Sequence, residues 1–228
     1  MVAVVGFLKC GFLKDDLDSI TLDLVDVVRT RRSIRKFKPE RIARGVICSL
    51  LDLARWSPSA HNTQPWRLMV VDDAEMKGKL AKEMGKVWVS DLVEDGVERN
   101  EAERMVKLKN WDRVTSSPVV AIVCLDKRGV YNHTDSRRRR VEYLTAVQSV
   151  AAYVQTLLLL AHDHGLGACW ICTPLFCQNS VRGVLGLPKE LEPQAMIIMG
   201  FSDEKPLPSS RKPLDDVCAF NSWPKEDR

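Results

Sequence analysis

Histidine and tyrosine are scarce in this chain, four and three among 228 residues, so chemistry that relies on clustered histidines has little material here. The sequence has no G-x-G-x-x-G fingerprint, no Walker loop and no G-x-S-x-G elbow. Dinucleotide domains of the Rossmann type, phosphate-loop NTPases and serine hydrolases therefore lose their usual signatures. The strongly apolar stretch Leu157 to Ala161 lies between Gln155 and His162. It falls far short of the roughly 20 residues a membrane helix requires, so no membrane span and no membrane partner is expected. Met1 to Phe7 is apolar but carries no preceding basic residue, and Lys9 interrupts the run, so no signal peptide is expected. Seven cysteines, an odd number spread through core-like segments, suit reduced thiols in a cytoplasmic protein better than a secreted disulfide framework.

Apolar residues make up 45% and charged residues 28%, the balance of an ordinary folded protein. The net charge of +4 lacks the clustered basic composition of a nucleic-acid binder. Arg137 to Arg140 reads as a solvated helix start, and no nucleic-acid partner is expected. The length suits one domain over residues 21 to 228, preceded by an extension at 1 to 20 that carries little periodic pattern.

Asp23 to Arg32 reads as a helix burying Leu24, Val25, Val27 and Val28. The stripe Ile42, Val46, Ile47, Leu50, Leu51 and Ala54 predicts a second helix, Trp66 to Val71 a strand, and Ala74 to Gly85 a third helix. Lys86 to Asp112, rich in charge, predicts one or two exposed helices that form a lid. Pro118 to Leu125 is a continuous apolar strand, and Val141 to His162 a central buried helix stopped at Gly165-Leu166-Gly167. Strands over Ala168 to Cys172 and Gln194 to Phe201 flank a short helix at Ser180 to Leu185. A tail with Pro206, Pro208, Pro213 and Pro224 runs extended over a surface or a partner subunit.

Three constellations stand out. Arg31, Arg32, Ser33 and Arg35 place guanidinium forks and a hydroxyl within five residues, suited to a phosphate. The loop from Pro58 to Pro65 crowds small polar side chains between a helix and a strand. Cys169-Trp170-Ile171-Cys172 is a lone C-x-x-C whose cysteines alternate to opposite faces of a strand, so no metal site is expected.

Taken together, RRSIRKF at 31 to 37, PSAHNTQPWRLMVV at 58 to 71, GLGACWICTPLF at 165 to 176 and RKPLDDV at 211 to 217 resemble, in order and spacing, the nitroreductase family of FMN-dependent oxidoreductases. The resemblance implies an α+β fold with a central mixed, mainly antiparallel sheet flanked by helices. It further implies an intertwined homodimer with two FMN sites, each built from both chains. By position, Arg31, Arg32, Ser33 and Arg35 match the residues that hold the FMN phosphate, ribityl chain and pyrimidine edge, and Arg211 matches a second phosphate arginine. Pro58, Ser59 and Asn62 match the stretch reaching the flavin from the opposite subunit. Ile171, Cys172 and Thr173 match the segment beside its central ring, with Thr173 the candidate catalytic hydrogen-bond donor towards N5. The implied activity passes hydride from NADH or NADPH to the flavin and on to a nitroaromatic, quinone or related small acceptor by a ping-pong mechanism. The alternatives are a flavin reductase step in deazaflavin coenzyme biosynthesis, whose flavin domain the run at 169 to 188 also resembles, and a flavin-binding or storage protein without turnover. Thr173-Pro174-Leu175 is similar to the branch that dehalogenates tyrosines, yet no tyrosine occurs between Lys86 and Ser117 to clamp such a substrate.

Overall fold

The computed structural model describes residues 22–223; the extension at 1 to 20 and Pro224 lie outside them. Its centre is a four-stranded sheet in the order β1 (Trp66–Val71), β2 (Val119–Asp126), β4 (Leu191–Gly200), β3 (Gly167–Ile171). Every strand pair is antiparallel, Trp66 facing Leu125, Val119 facing Met199 and Gly167 facing Gly200. The mixed sheet expected from the sequence is thus antiparallel in its strands, and the parallel component is a single bridge from Ser33 to Ala168.

The continuous apolar run of β2 reflects cover on both faces. Ala121, Val123 and Leu125, with Ala195, Ile197 and Met199 of β4, meet α2 (Arg44–Ala54) and α6 (Ser136–Asp163). Val120, Ile122 and Cys124, with Met196 and Ile198, meet α3 (Ala74–Glu94), α5 (Asp112–Ser116) and α8 (Gln178–Leu185). Alternation of side chains along the central strands therefore builds two cores from one sheet.

α6 begins at Ser136, with Asp135 as its N-cap accepting from the Arg138 amide, so the arginine run forms its solvated first turns. By length and composition alone it is long and apolar enough to cross a membrane, with a mean hydropathy of 1.6 over 18 residues. Here Val150, Tyr153, Val154, Leu157 and Ala161 pack into the core while Val141 and Leu144 face outward. Among the described residues, Cys124, Cys169, Cys172, Cys177 and Cys218 are free thiols.

Three other elements depart from the sequence reading. α1 (Leu24–Thr30) buries only Val27; Leu24, Val25 and Val28 stay exposed, because one helix of two turns touches the rest of the chain along a single line. α3 continues past Gly85 to Glu94, since Gly85 sits mid-helix against Val106 and Asn110, where a larger side chain would crowd them. The lid region then continues through α4 (Arg99–Val106) and the π-turn Lys107–Trp111. A one-turn helix, α7 (Thr173–Phe176), follows β3 where only a strand end was expected.

At the end of β2 the buried carboxylate of Asp126 accepts from Arg128 Nε and Nη2, both at 2.8 Å, and pairs with Arg67 at 3.2 Å. These partners, Arg128 first, hold its pKa below the usual carboxylate value. A depressed folded-state pKa means stability that is present above the unfolded pKa of about 4 and is lost as pH falls through the folded value. Chemical denaturation should therefore find Asp126→Asn less stable than the parent at pH 7, with the gap closing below about pH 4.

Candidate functional site

Arg31 ends α1 in an extended conformation, with φ −54° and ψ 131°, and sends the chain along the outer edge of β3. Ser33 bridges Ala168, the Ile34 amide donates to Ala168 O at 3.0 Å, and Phe37 bridges Ser202. Ile34 and Phe37 enter the core while Arg35 and Lys36 face solvent. This close approach depends on the paired glycines of β3 and β4. A Cβ on Gly167 would lie 2.8 Å from Ile34, and one on Gly200 would lie 2.6 Å from Pro118 and 2.9 Å from Phe37. Glu204 fixes the far end of the turn, its carboxylate accepting from the Arg35 amide at 2.5 Å and the Lys36 amide at 3.2 Å.

Among the described residues, the guanidinium groups of the turn bond only to nearby carbonyls: Arg32 to Arg29 O and Arg31 O, and Arg35 to Ser33 O. Among the described residues no carboxylate forms an ion pair with Arg31, Arg32 or Arg35, so their charge is available to an anion. Their field is felt by two neighbours, the buried Cys169 and the half-buried His162. Burial raises the Cys169 pKa, while Arg35, Ser33, Arg113 and Arg31 act in the opposite sense. Burial, then Arg31, lowers the pKa of His162, whose ring lies 2.8 Å from the Thr30 hydroxyl. Arg113, on α5, is a member of this basic group that the sequence reading missed. It lies inside a charged lid segment, and nothing in its local pattern marks it; only the packing of α5 beside the sheet brings it to β3.

Ile171, Cys172 and Thr173 sit at the other end of the same strand. Ile171 lies three steps along the strand from Ala168, the partner of Ser33, a span of about 10 Å at the rise of a β-strand. Thr173 opens α7, where backbone N–H groups have no intrahelical acceptor, and Pro174 behind it is buried. One edge of the chain thus combines a basic cluster with a short polar segment at the distance an elongated, singly anchored ligand needs.

Pro58, Ser59 and Asn62 lie elsewhere, in the loop before β1 on the opposite edge of the sheet, about 14 Å away across three strand spacings. Ser59 Oγ accepts from the Gln64 amide at 3.0 Å, Asn62 Oδ1 from Gln64 Nε2 at 3.2 Å, and the Ala60 amide donates to Ser149 Oγ at 3.1 Å. His61, Asn62 and Gln64 have φ of 54°, 52° and 45°, left-handed positions without glycine on either side of a right-handed Thr63, a costly backbone that the surrounding contacts must hold. Arg211 is exposed on the tail and bonds only to Ser209 O and Ser210 O. The chain therefore joins Arg31, Arg32, Ser33 and Arg35 with Ile171, Cys172 and Thr173, and leaves the remaining predicted site residues apart from them.

Comparison with known proteins bears on the family and the fold. A family model described as the nitroreductase family matches residues 28–201. YfhC of Bacillus subtilis, provisionally named an NAD(P)H nitroreductase, is 29% identical over 196 residues, covering 85% of this chain and 91% of its own. An NADH dehydrogenase of Thermus thermophilus is 27% identical over 226 residues, covering 87% of this chain and 96% of its own. Among solved structures, a BluB-like flavoprotein from Clostridium difficile superposes with a TM-score of 0.72 at 25% identity, covering 88% of this chain and all of that one.

Proposed function

Because the chain belongs to the nitroreductase family, we propose that it is an FMN-dependent oxidoreductase that takes electrons from NADH or NADPH and acts as a homodimer in the cytoplasm. Its acceptor is a nitroaromatic, quinone or related small molecule. The observation that carries this reading is the group Arg31, Arg32 and Arg35, free of ion pairs among the described residues and with Arg113 lining the same pocket as Arg35, at the start of a strand edge whose far end is Ile171-Cys172-Thr173. Nitroreductase-like proteins of the same fold are described in complex with FMN, one of them from Desulfovibrio desulfuricans with a TM-score of 0.65 at 24% identity.

These residues suit FMN: arginines and the Ser33 hydroxyl match a phosphate and ribityl chain, and the donors of Thr173 match the polar edge of the ring system. When bound, FMN supplies two-electron chemistry between a nicotinamide and an acceptor. The protein's part is position and electrostatics. Glu204 holds the Arg35 amide while the Arg35 side chain faces solvent, and Thr173 would offer a hydrogen bond, from its hydroxyl or its backbone, at the reacting edge of a bound flavin. Pro58, Ser59 and Asn62, on the opposite edge of the sheet, would complete the site of the neighbouring subunit. The apolar residues left bare on α1 and α6, namely Leu24, Val25, Val28, Val141 and Leu144, form the surface that a second copy covers.

The test is an absorption spectrum of the purified protein with added FMN, followed by anaerobic NADH or NADPH. Flavin bands that bleach and return on adding a quinone support the proposal; binding without bleaching leaves a storage protein, and absence of binding at micromolar FMN removes the reading. Two variants refine it. Leu144→Glu should convert a dimer to a monomer in sedimentation and abolish FMN retention together. Glu204→Ala should weaken FMN binding about tenfold in fluorescence titration, the cost of losing a charged hydrogen bond that orders the turn.

A further inference from the structure

Between the C-terminal half of α3 and α7 lies a cavity of about 320 Å³. Its walls are apolar and aromatic, from Met84, Trp88, Leu92 and Phe176, and Thr173 reaches into it from the strand edge described above. Among the described residues, the only charged groups lining it are the carboxylates of Asp91 and Asp95. No Lys, Arg or His among the described residues forms an ion pair with either one. Trp88, Asp91 and Asp95 occupy positions i, i+3 and i+7 of α3, so the indole and both carboxylates share one face of the helix. Asp95 also caps the C-terminus of α3, where the helix dipole adds to the negative potential. The potential extends into the cavity: burial first, then Asp91, pushes the Cys177 thiol up to about 11.

A volume at the lower end of small-molecule sites suits a ligand of one or two rings. An indole face beside two unpaired carboxylates attracts a cation lying over the ring and repels an anion. We infer that this cavity takes planar aromatic molecules that carry positive charge and discriminates against anionic ones of the same shape. Resting on the oxidoreductase reading, and on the presence of Thr173 in both places, the inference assigns positively charged aromatics as the preferred class on the acceptor side of the site.

Calorimetric titration of the FMN-supplemented protein with 1-methylquinolinium and with 2-naphthoate, two probes of similar shape and opposite charge, tests this directly. At low salt the cation is expected to bind about tenfold more tightly, the sum of two modest exposed charge contacts. That ratio should shrink at 0.5 M salt and fall to about one in Asp91→Asn/Asp95→Asn, since exposed charges are screened. Trp88→Leu should weaken both probes. Equal affinities, no binding of either probe, or a preference that survives the double asparagine variant would overturn the inference. Failure of the FMN reading would appear separately, as missing flavin absorption, while the charge preference is still read from the titrations.

Discussion

Replacing Arg32 and Arg35 together with alanine should weaken FMN binding by a factor on the order of 10² to 10⁴. Each charged hydrogen bond to a phosphate is worth about 1.5–3 kcal/mol, so two amount to about 3–6 kcal/mol of affinity. The fold should hardly respond. In the free chain these side chains bond only to carbonyls one to three residues away, and neither takes part in an ion pair. Thermal unfolding of the variant without FMN should therefore stay within about 1 kcal/mol of the parent, and fluorescence titration should show the loss of affinity. An unchanged affinity would remove the basic turn from the site; a collapse of stability would give it a structural role instead.

The second large effect concerns how that turn is held. Gly200→Ala should destabilise the protein by about 1–3 kcal/mol, the usual cost of forcing volume into a packed interior. The added Cβ would meet Pro118 at 2.6 Å and Phe37 at 2.9 Å, distances that real side chains essentially never show. Phe37 is the residue through which the turn bridges Ser202, so the strain is transmitted to Arg35 and Glu204. A thermal midpoint lower by several degrees, with FMN affinity reduced alongside, is the expected pair of results. Because a ligand that binds only the folded state stabilises it, excess FMN should recover part of the lost midpoint. A Gly200→Ala variant as stable as the parent would show that the turn is free to move away from β4.

Much of this architecture was legible in the residues. Trp66 to Val71 and the apolar run to Leu125 read as strands because buried β segments leave a clear apolar signature, and the long helix to Asp163 read from its apolar faces and its glycine stop. The surface of α1 did not, since Leu24, Val25 and Val28 carry a core-like pattern that a single chain leaves uncovered. Periodicity reports an apolar face and is silent on which molecule covers it. The basic turn and the 171–173 segment were found as motifs, but their meeting on one edge is a fact of topology. So is the separation of Ser59 and Asn62 to the other edge. Arg113 was invisible because its neighbours in sequence say nothing of its neighbours in space, and the carboxylates facing Trp88 required knowing that α3 runs on beyond Gly85.

The central claim is that each FMN site takes its arginines from one chain and its Pro58-to-Asn62 loop from another, and mixed dimers test it most directly. One chain would carry Arg32→Ala with Arg35→Ala and a distinguishable tag; the other would carry Ser59→Ala with Asn62→Ala. Either variant alone, as a homodimer, has both sites impaired. In the mixed dimer one site receives both defects and the other receives neither, so the account predicts about one FMN retained per dimer, bound with the parent affinity and bleached by the nicotinamide donor. A mixed dimer that retains no more FMN than either homodimer would contradict it, since every site would then draw its arginines and its loop from the same chain.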